Sequence, residues 1–125
     1  MKPDAALVQQ RQATIRTYAA AWCEFDPAKR LELLHACFEE TGTYSDPTVF
    51  LESRARLNAY LGDLHGRFAR SRVVQASELE TYRNVGRFDW HWALEDGTVR
   101  RRGVDFVTFA ESGKLQSVVG FFNPL

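Results

Sequence analysis

Asp105 sits in the middle of Gly103-Val104-Asp105-Phe106-Val107-Thr108-Phe109, a run that otherwise reads as a buried strand. Burying an unpaired carboxylate costs several kcal/mol, comparable to the whole stability of a small domain. The side chain therefore faces water, meets a partner, or keeps its proton. In the last state it is a hydrogen-bond donor inside an apolar cavity, which is a catalytic device. Arg101, earlier on the same segment, reads as a cation–π partner of Trp92, an ion-pair partner of Asp105, or an anchor for a substrate carboxylate.

Other chemistries find no support. His35, His65 and His91 lack metal-ligand spacing, so no metal site is expected, and His65 reads as a cation at a helix C-terminus. Cys23 and Cys37 stand outside any CxxC pattern and read as reduced, buried thiols of a cytoplasmic protein. There is no GxSxG, P-loop, GxGxxG or HExxH motif, hence no expected cofactor and no serine hydrolysis. Sixteen basic side chains balance sixteen acidic ones, so no global field draws nucleic acid or an anionic membrane. Arg100-Arg101-Arg102 alternates faces on a strand and forms no continuous basic stripe. No stretch is apolar enough to span a bilayer, and Met1-Lys2-Pro3-Asp4 does not open a signal peptide.

The elements that must position Asp105 follow from periodicity. Val8, Ile15, Tyr18, Ala19 and Trp22 share one face of a long helix. Asp26-Pro27 supplies an N-cap and a first-turn proline for a short helix with Leu31 and Leu34 inward. Thr41 to Ser45 reads as a strand stopped at Asp46-Pro47. A third helix starts near Ser53, buries Leu57, Tyr60, Leu61 and Leu64, and ends at Gly66. Strands are then expected over Arg72 to Tyr82, Val85 to Leu94, Val99 to Phe109 and Leu115 to Phe122. The length and element order give a single α+β domain over residues 1–125, with helices covering an antiparallel meander.

Asp96-Gly97 and Ser112-Gly113 read as two-residue hairpin turns, and the register follows by counting. Trp92 then lies opposite Arg101, Trp90 opposite Gly103, and Phe88 opposite Asp105. Asp105 lies opposite Gly120, Gly103 opposite Phe122, and Val107 opposite Val118. One face collects Phe88, Trp90, Trp92, Arg101, Asp105, Val107, Val118 and Phe122. The absent side chains of Gly103 and Gly120 are expected to leave room there for a ligand. The other face carries Arg87, Asp89, His91, Arg102, Val104, Phe106, Val119 and Phe121, enough apolar area to predict a homodimer through it.

Tyr18 on the first helix, Tyr44-Ser45-Asp46-Pro47 after the first strand, and the Asp105 strand followed by Gly113-Lys114-Leu115-Gln116 form a set. With that order of elements the chain resembles the NTF2-like superfamily, whose SnoaL-like cyclases and ketosteroid isomerases share a cone-shaped α+β fold. The resemblance covers nearly the whole chain and implies three helices packed on a curved antiparallel sheet that encloses a pocket. Residue by residue, the resemblance to the isomerases implies that Asp46 is the general base. It implies that Tyr18 donates to a developing enolate oxygen, and that Asp105 is a second donor kept protonated by its apolar site. Trp90 and Trp92 stand where the isomerase pocket has smaller groups, and Arg101 has no isomerase counterpart.

The residues alone give plainer readings: Asp46 as a turn residue and Tyr18 as a core residue. Trp22, Tyr44, Tyr60, Phe88, Trp90, Trp92, Arg101, Val118 and Phe122 are the expected ligand-contacting side chains. The expected function is a cofactor-independent isomerase, cyclase or dehydratase acting on a small apolar or aromatic molecule. The alternative is a ligand-binding or interaction module of the same fold without turnover.

Overall fold

A computed structural model describes residues 4–122; Met1, Lys2 and Pro3, part of the stretch read for a signal peptide, lie outside them. Helix α1 spans Ala5–Cys23, capped by the Asp4 carboxylate on the Leu7 amide at 2.8 Å. Helix α2 (Pro27–Cys37) starts as its sequence predicts, with the Asp26 side chain on the Ala28 amide and Pro27 in the first turn. Strands β1 (Phe38–Asp46) and β2 (Val49–Leu51) follow. Helix α3 (Arg54–Arg67) is capped by Ser53 and runs through Gly66, ending one residue later than the glycine suggests. Strands β3 (Arg72–Gln75), β4 (Glu80–Tyr82), β5 (Val85–Ala93), β6 (Val99–Phe109) and β7 (Leu115–Phe122) complete the chain.

The fold class is α+β, with three helices on a curved, unclosed seven-stranded sheet. Its order is β2-β1-β7-β6-β5-β3, with β4 also paired to β5. The sheet is mixed rather than antiparallel throughout, because β1 runs parallel to β7. Helix α3 and the strands after it carry the chain across to β7, a crossover that a hairpin cannot make. The strand expected over Arg72 to Tyr82 is interrupted at Ala76–Leu79. Gln75 still pairs with Trp90, while Glu80 pairs with Arg87, so β3 and β4 carry two residues more than β5 between these pairs. The Ala76 amide on the Asp89 carbonyl and the Asp89 amide on Ser77 Oγ hold the interruption.

The inner register is the one that counting predicts: Phe88 with Asp105, Trp90 with Gly103, Trp92 with Arg101, and Asp105 with Gly120. It is reached by a different route. Leu94 N–H donates to the Thr98 carbonyl and Ala110 N–H to the Lys114 carbonyl, so each turn contains three residues rather than two. Gly97 (φ 89°) and Gly113 (φ 90°) take the left-handed conformation that closes such turns. Each extra turn residue is balanced by a bulge, at Arg100 on β6 and at Gln116 on β7.

Ile15, Leu34, Phe38, Leu57, Leu61, Leu115 and Val118 are sealed between helices and sheet. Each contributes roughly 1.5–3 kcal/mol relative to exposure. On α2 the inward face is Arg30, Leu34 and Cys37, and Leu31, expected inward, is 42% exposed. The turn after α1 explains the rotation. Arg30 Nη1 donates to the Glu24 carbonyl at 3.0 Å and its Nε to Asn58 Oδ1 at 2.7 Å, so this cation fills the position where an apolar residue was expected. Its hydrogen bonds tie α1, α2 and α3 together at one end of the cone.

Candidate active site

The helices and the inner sheet face enclose a cavity of about 450 Å³. α1 contributes Tyr18, Ala19 and Trp22, because steps of one, three and four residues put them on one helical face. β1 ends in Tyr44 and Asp46, which share a sheet face by alternation. α3 contributes Tyr60, Leu61, Leu64 and His65, and β5 contributes Phe88, Trp90 and Trp92. Arg101, Asp105 and Phe122 close the sheet side. Of the side chains singled out in the sequence, all but one therefore line this cavity. The exception, Val118, is fully buried in the core away from the cavity wall.

Asp105 is 6% exposed and forms no ion pair among the described residues. Its Oδ1 accepts a hydrogen bond from the Trp90 indole Nε1 at 2.9 Å, so the partner is an aromatic N–H and not Arg101. Trp90 lies opposite Gly103, diagonal to Asp105, within reach of a long side chain. Burial pushes the Asp105 carboxyl up to about 7; the Trp90 bond draws it down and the charge of Asp46 adds to the rise. Near neutrality the group is divided between donor and acceptor forms.

The two glycines do not leave the open space that was expected. The Trp90 indole lies over Gly103 so closely that a Cβ there would overlap it, and a Cβ on Gly120 would stand 2.9 Å from Asp105 Oδ1. The room they create is filled by the indole and the carboxyl themselves. They make the floor of the cavity rather than its volume.

Tyr18 is 2% exposed, and its hydroxyl has no hydrogen-bond partner among the described residues. Burial raises its pKa well above the ordinary value, and Asp105 is the charged neighbour that adds most. It is therefore a neutral phenol available as a donor. Tyr44, also buried, is held protonated for the same first reason and donates to Asp46 Oδ2 at 2.7 Å. Asp46 Oδ1 accepts from the Thr48 amide at 2.7 Å and from its hydroxyl at 2.6 Å. Asp46 is thus both the turn residue and a cavity-lining carboxylate.

His65 and Arg67 also line the cavity, at positions not singled out as ligand contacts. His65 Nε2 is buried without a partner among the described residues, and burial, followed by the charge of Arg30, lowers its pKa, so the C-terminal cation reading gives way to a neutral imidazole. Its spacing from Leu61 and Leu64 on α3 was the available signal. Arg101 places its guanidinium 4.4 Å above the Phe122 ring, with Nε buried and without a hydrogen-bond partner among the described residues. The cation over Trp92 is instead Arg100, brought there by the bulge. Among the described residues no group of three His, Cys, Asp or Glu side chains is placed to hold a metal, and no helix is long and apolar enough to cross a membrane.

No family model matches the sequence, and no curated protein matches it closely enough to count as a relative. Solved structures do match. A proposed isomerase of the SnoaL-like family from Agrobacterium tumefaciens is 29% identical, with 93% of this chain and 99% of that one covered and a TM-score of 0.86. The chain folds as an NTF2-like, SnoaL-like domain. The same fold is seen in a SnoaL-like protein of unknown function from Burkholderia thailandensis, 12% identical over 99% of this chain and 100% of that one, with a TM-score of 0.72. It is seen again in a protein from Catenulispora acidiphila with a ketosteroid isomerase-like fold, in complex with trimethylamine. That protein is 13% identical over 88% of this chain and 85% of that one, with a TM-score of 0.71.

Proposed function

We propose that this NTF2-like domain binds a small apolar or aromatic molecule in its cavity and moves a proton on it without a cofactor, as an isomerase, cyclase or dehydratase. Tyr18 and a protonated Asp105 donate to the oxygen on which negative charge develops, and Asp46 takes and returns the proton. The observation that carries this reading is the buried Tyr18 hydroxyl, without a hydrogen-bond partner among the described residues, in the same cavity as Asp105. Preorganised donors in a water-poor site are what an enolate needs. A carboxylate near the cavity rim suits a base.

One observation favours the reading without turnover. Asp46 already accepts three hydrogen bonds from Tyr44 and Thr48, which leaves less capacity for a substrate proton. The test is isomerisation of a β,γ-unsaturated cyclic ketone by the protein and by Asp46→Asn. Conversion by the wild type that disappears in the variant supports proton transfer. Equal background in both, with a phenol still bound, makes the domain a binding module.

On the outer sheet face Phe106, Val119 and Phe121 are exposed, and the two phenyl rings meet edge to face. This apolar patch supports a homodimer formed through the sheet. Sedimentation of the protein and of Phe121→Glu tests it, with a monomer expected only in the variant.

A further inference from the structure

Proton transfer by Asp46, Tyr18 and Asp105 leaves Arg101 without a task. Its Nε is buried and has no hydrogen-bond partner among the described residues, and the described ion pairs do not include it. Stacking on Phe122 satisfies the face of the guanidinium, not the N–H groups in its plane. A buried donor on a charged group is costly to leave unpaired, so its edge is a place for an acceptor.

The geometry supplies the dimension of that acceptor's carrier. Arg101, Gly103 and Asp105 alternate along the inner face of β6, and at the usual rise the outer two Cα atoms stand roughly 13 Å apart. The Arg101 guanidinium leans over Phe122, which pairs with Gly103, so the gap between the two polar ends is shorter than this. The floor between them is the Trp90 indole, covering Gly103 and aiming its Nε1 at Asp105. An aromatic plate therefore separates a guanidinium edge from the Tyr18 and Asp105 donors. One planar fork suits a carboxylate monoanion.

We infer that the cavity takes a planar aromatic or enone acid, its ring on Trp90, its phenol or enolisable carbonyl oxygen toward Tyr18 and Asp105, and its carboxylate on Arg101. The inference rests on the reading of Tyr18 and Asp105 as donors, and adds the class of substrate.

Calorimetric titration with para-hydroxycinnamate and with its carboxamide, an isosteric neutral phenol, tests it. The acid is expected to bind roughly tenfold to a hundredfold more tightly than the amide. Arg101→Met should abolish that preference, weakening the acid far more than the amide. Arg101→Lys, which keeps the charge and loses the fork, should retain part of it; this variant decides the matter if Arg101→Met does not fold. Tyr18→Phe should weaken both compounds and preserve the ratio. Equal binding of acid and amide, no binding of either, or a preference that survives in Arg101→Met overturns the proposal. A preference that depends on Arg101 while Tyr18→Phe changes nothing leaves the anion site standing and removes the donor reading beneath it.

Discussion

Asp46 and Asp105 face one cavity from two strands, and their surroundings differ in almost every respect. Asp46 ends β1, where the chain turns; Tyr44 and Thr48 give it three hydrogen bonds, and it is only partly buried. Asp105 lies in the interior of β6 with one donor among the described residues, Trp90, and almost no exposure. Placement along a strand, rather than residue type, thus separates a carboxyl met by three donors from one that burial pushes toward its protonated form. A strand end brings free backbone N–H groups and water. A strand middle offers only what neighbouring side chains supply.

The sharpest way to break this contrast is at the acceptor. Asp46→Asn should lower kcat by about 10²–10⁴-fold on any substrate the protein turns over, measured by steady-state kinetics. At the other carboxyl the effect is on pH dependence. In the unfolded chain Asp105 ionises near 3.8, whereas the fold holds its proton up to about 7. Between these values the native state binds more protons than the unfolded one, so this group's contribution is full below about 4 and is lost as pH rises toward 7. The loss is roughly 4 kcal/mol at most. Urea denaturation across that range should show it in the wild type and not in Asp105→Asn.

Smaller changes refine the difference. Gly120→Ala puts a methyl group against Asp105 Oδ1, and the crowding should cost about 1–3 kcal/mol in a denaturation midpoint analysis. Trp90→Phe removes the donor that favours the ionised form of Asp105. Its titration, followed by carboxyl carbon shifts in NMR, should move further up. A downward or unchanged midpoint would mean that water replaces the indole and that the floor is not dry.

Much of this was legible in the chain. The helix starts at Asp26-Pro27 and Ser53 were local and came out as read. The inner register was legible because hydrophobic alternation constrains it more strongly than the turns do: each turn is longer than its Gly suggests, and each extra residue is returned by a bulge. The break at Ala76–Leu79 was not legible, since no Gly or Pro marks it and its hydrogen bonds come from β5. Arg30 was read past for a similar reason: its partners are carbonyls before α2 and a side chain on α3. At the site, the oddity of Asp105 could be seen in one dimension, but its partner could not. A carboxylate suggests a cation, and the fold supplied an indole.

The bulges at Arg100 and Gln116 give the hairpins a tolerance of length. Removing one residue from either loop leaves Leu94 opposite Thr98, or Ala110 opposite Lys114, and every inner pair beyond the bulge keeps its partner. Removing the bulge residue instead straightens the ladder and keeps the same partners. A deletion within the regular ladder, between Arg100 and Asp105, is the change that exchanges Asp105 for a solvent-facing neighbour and turns the pocket wall outward.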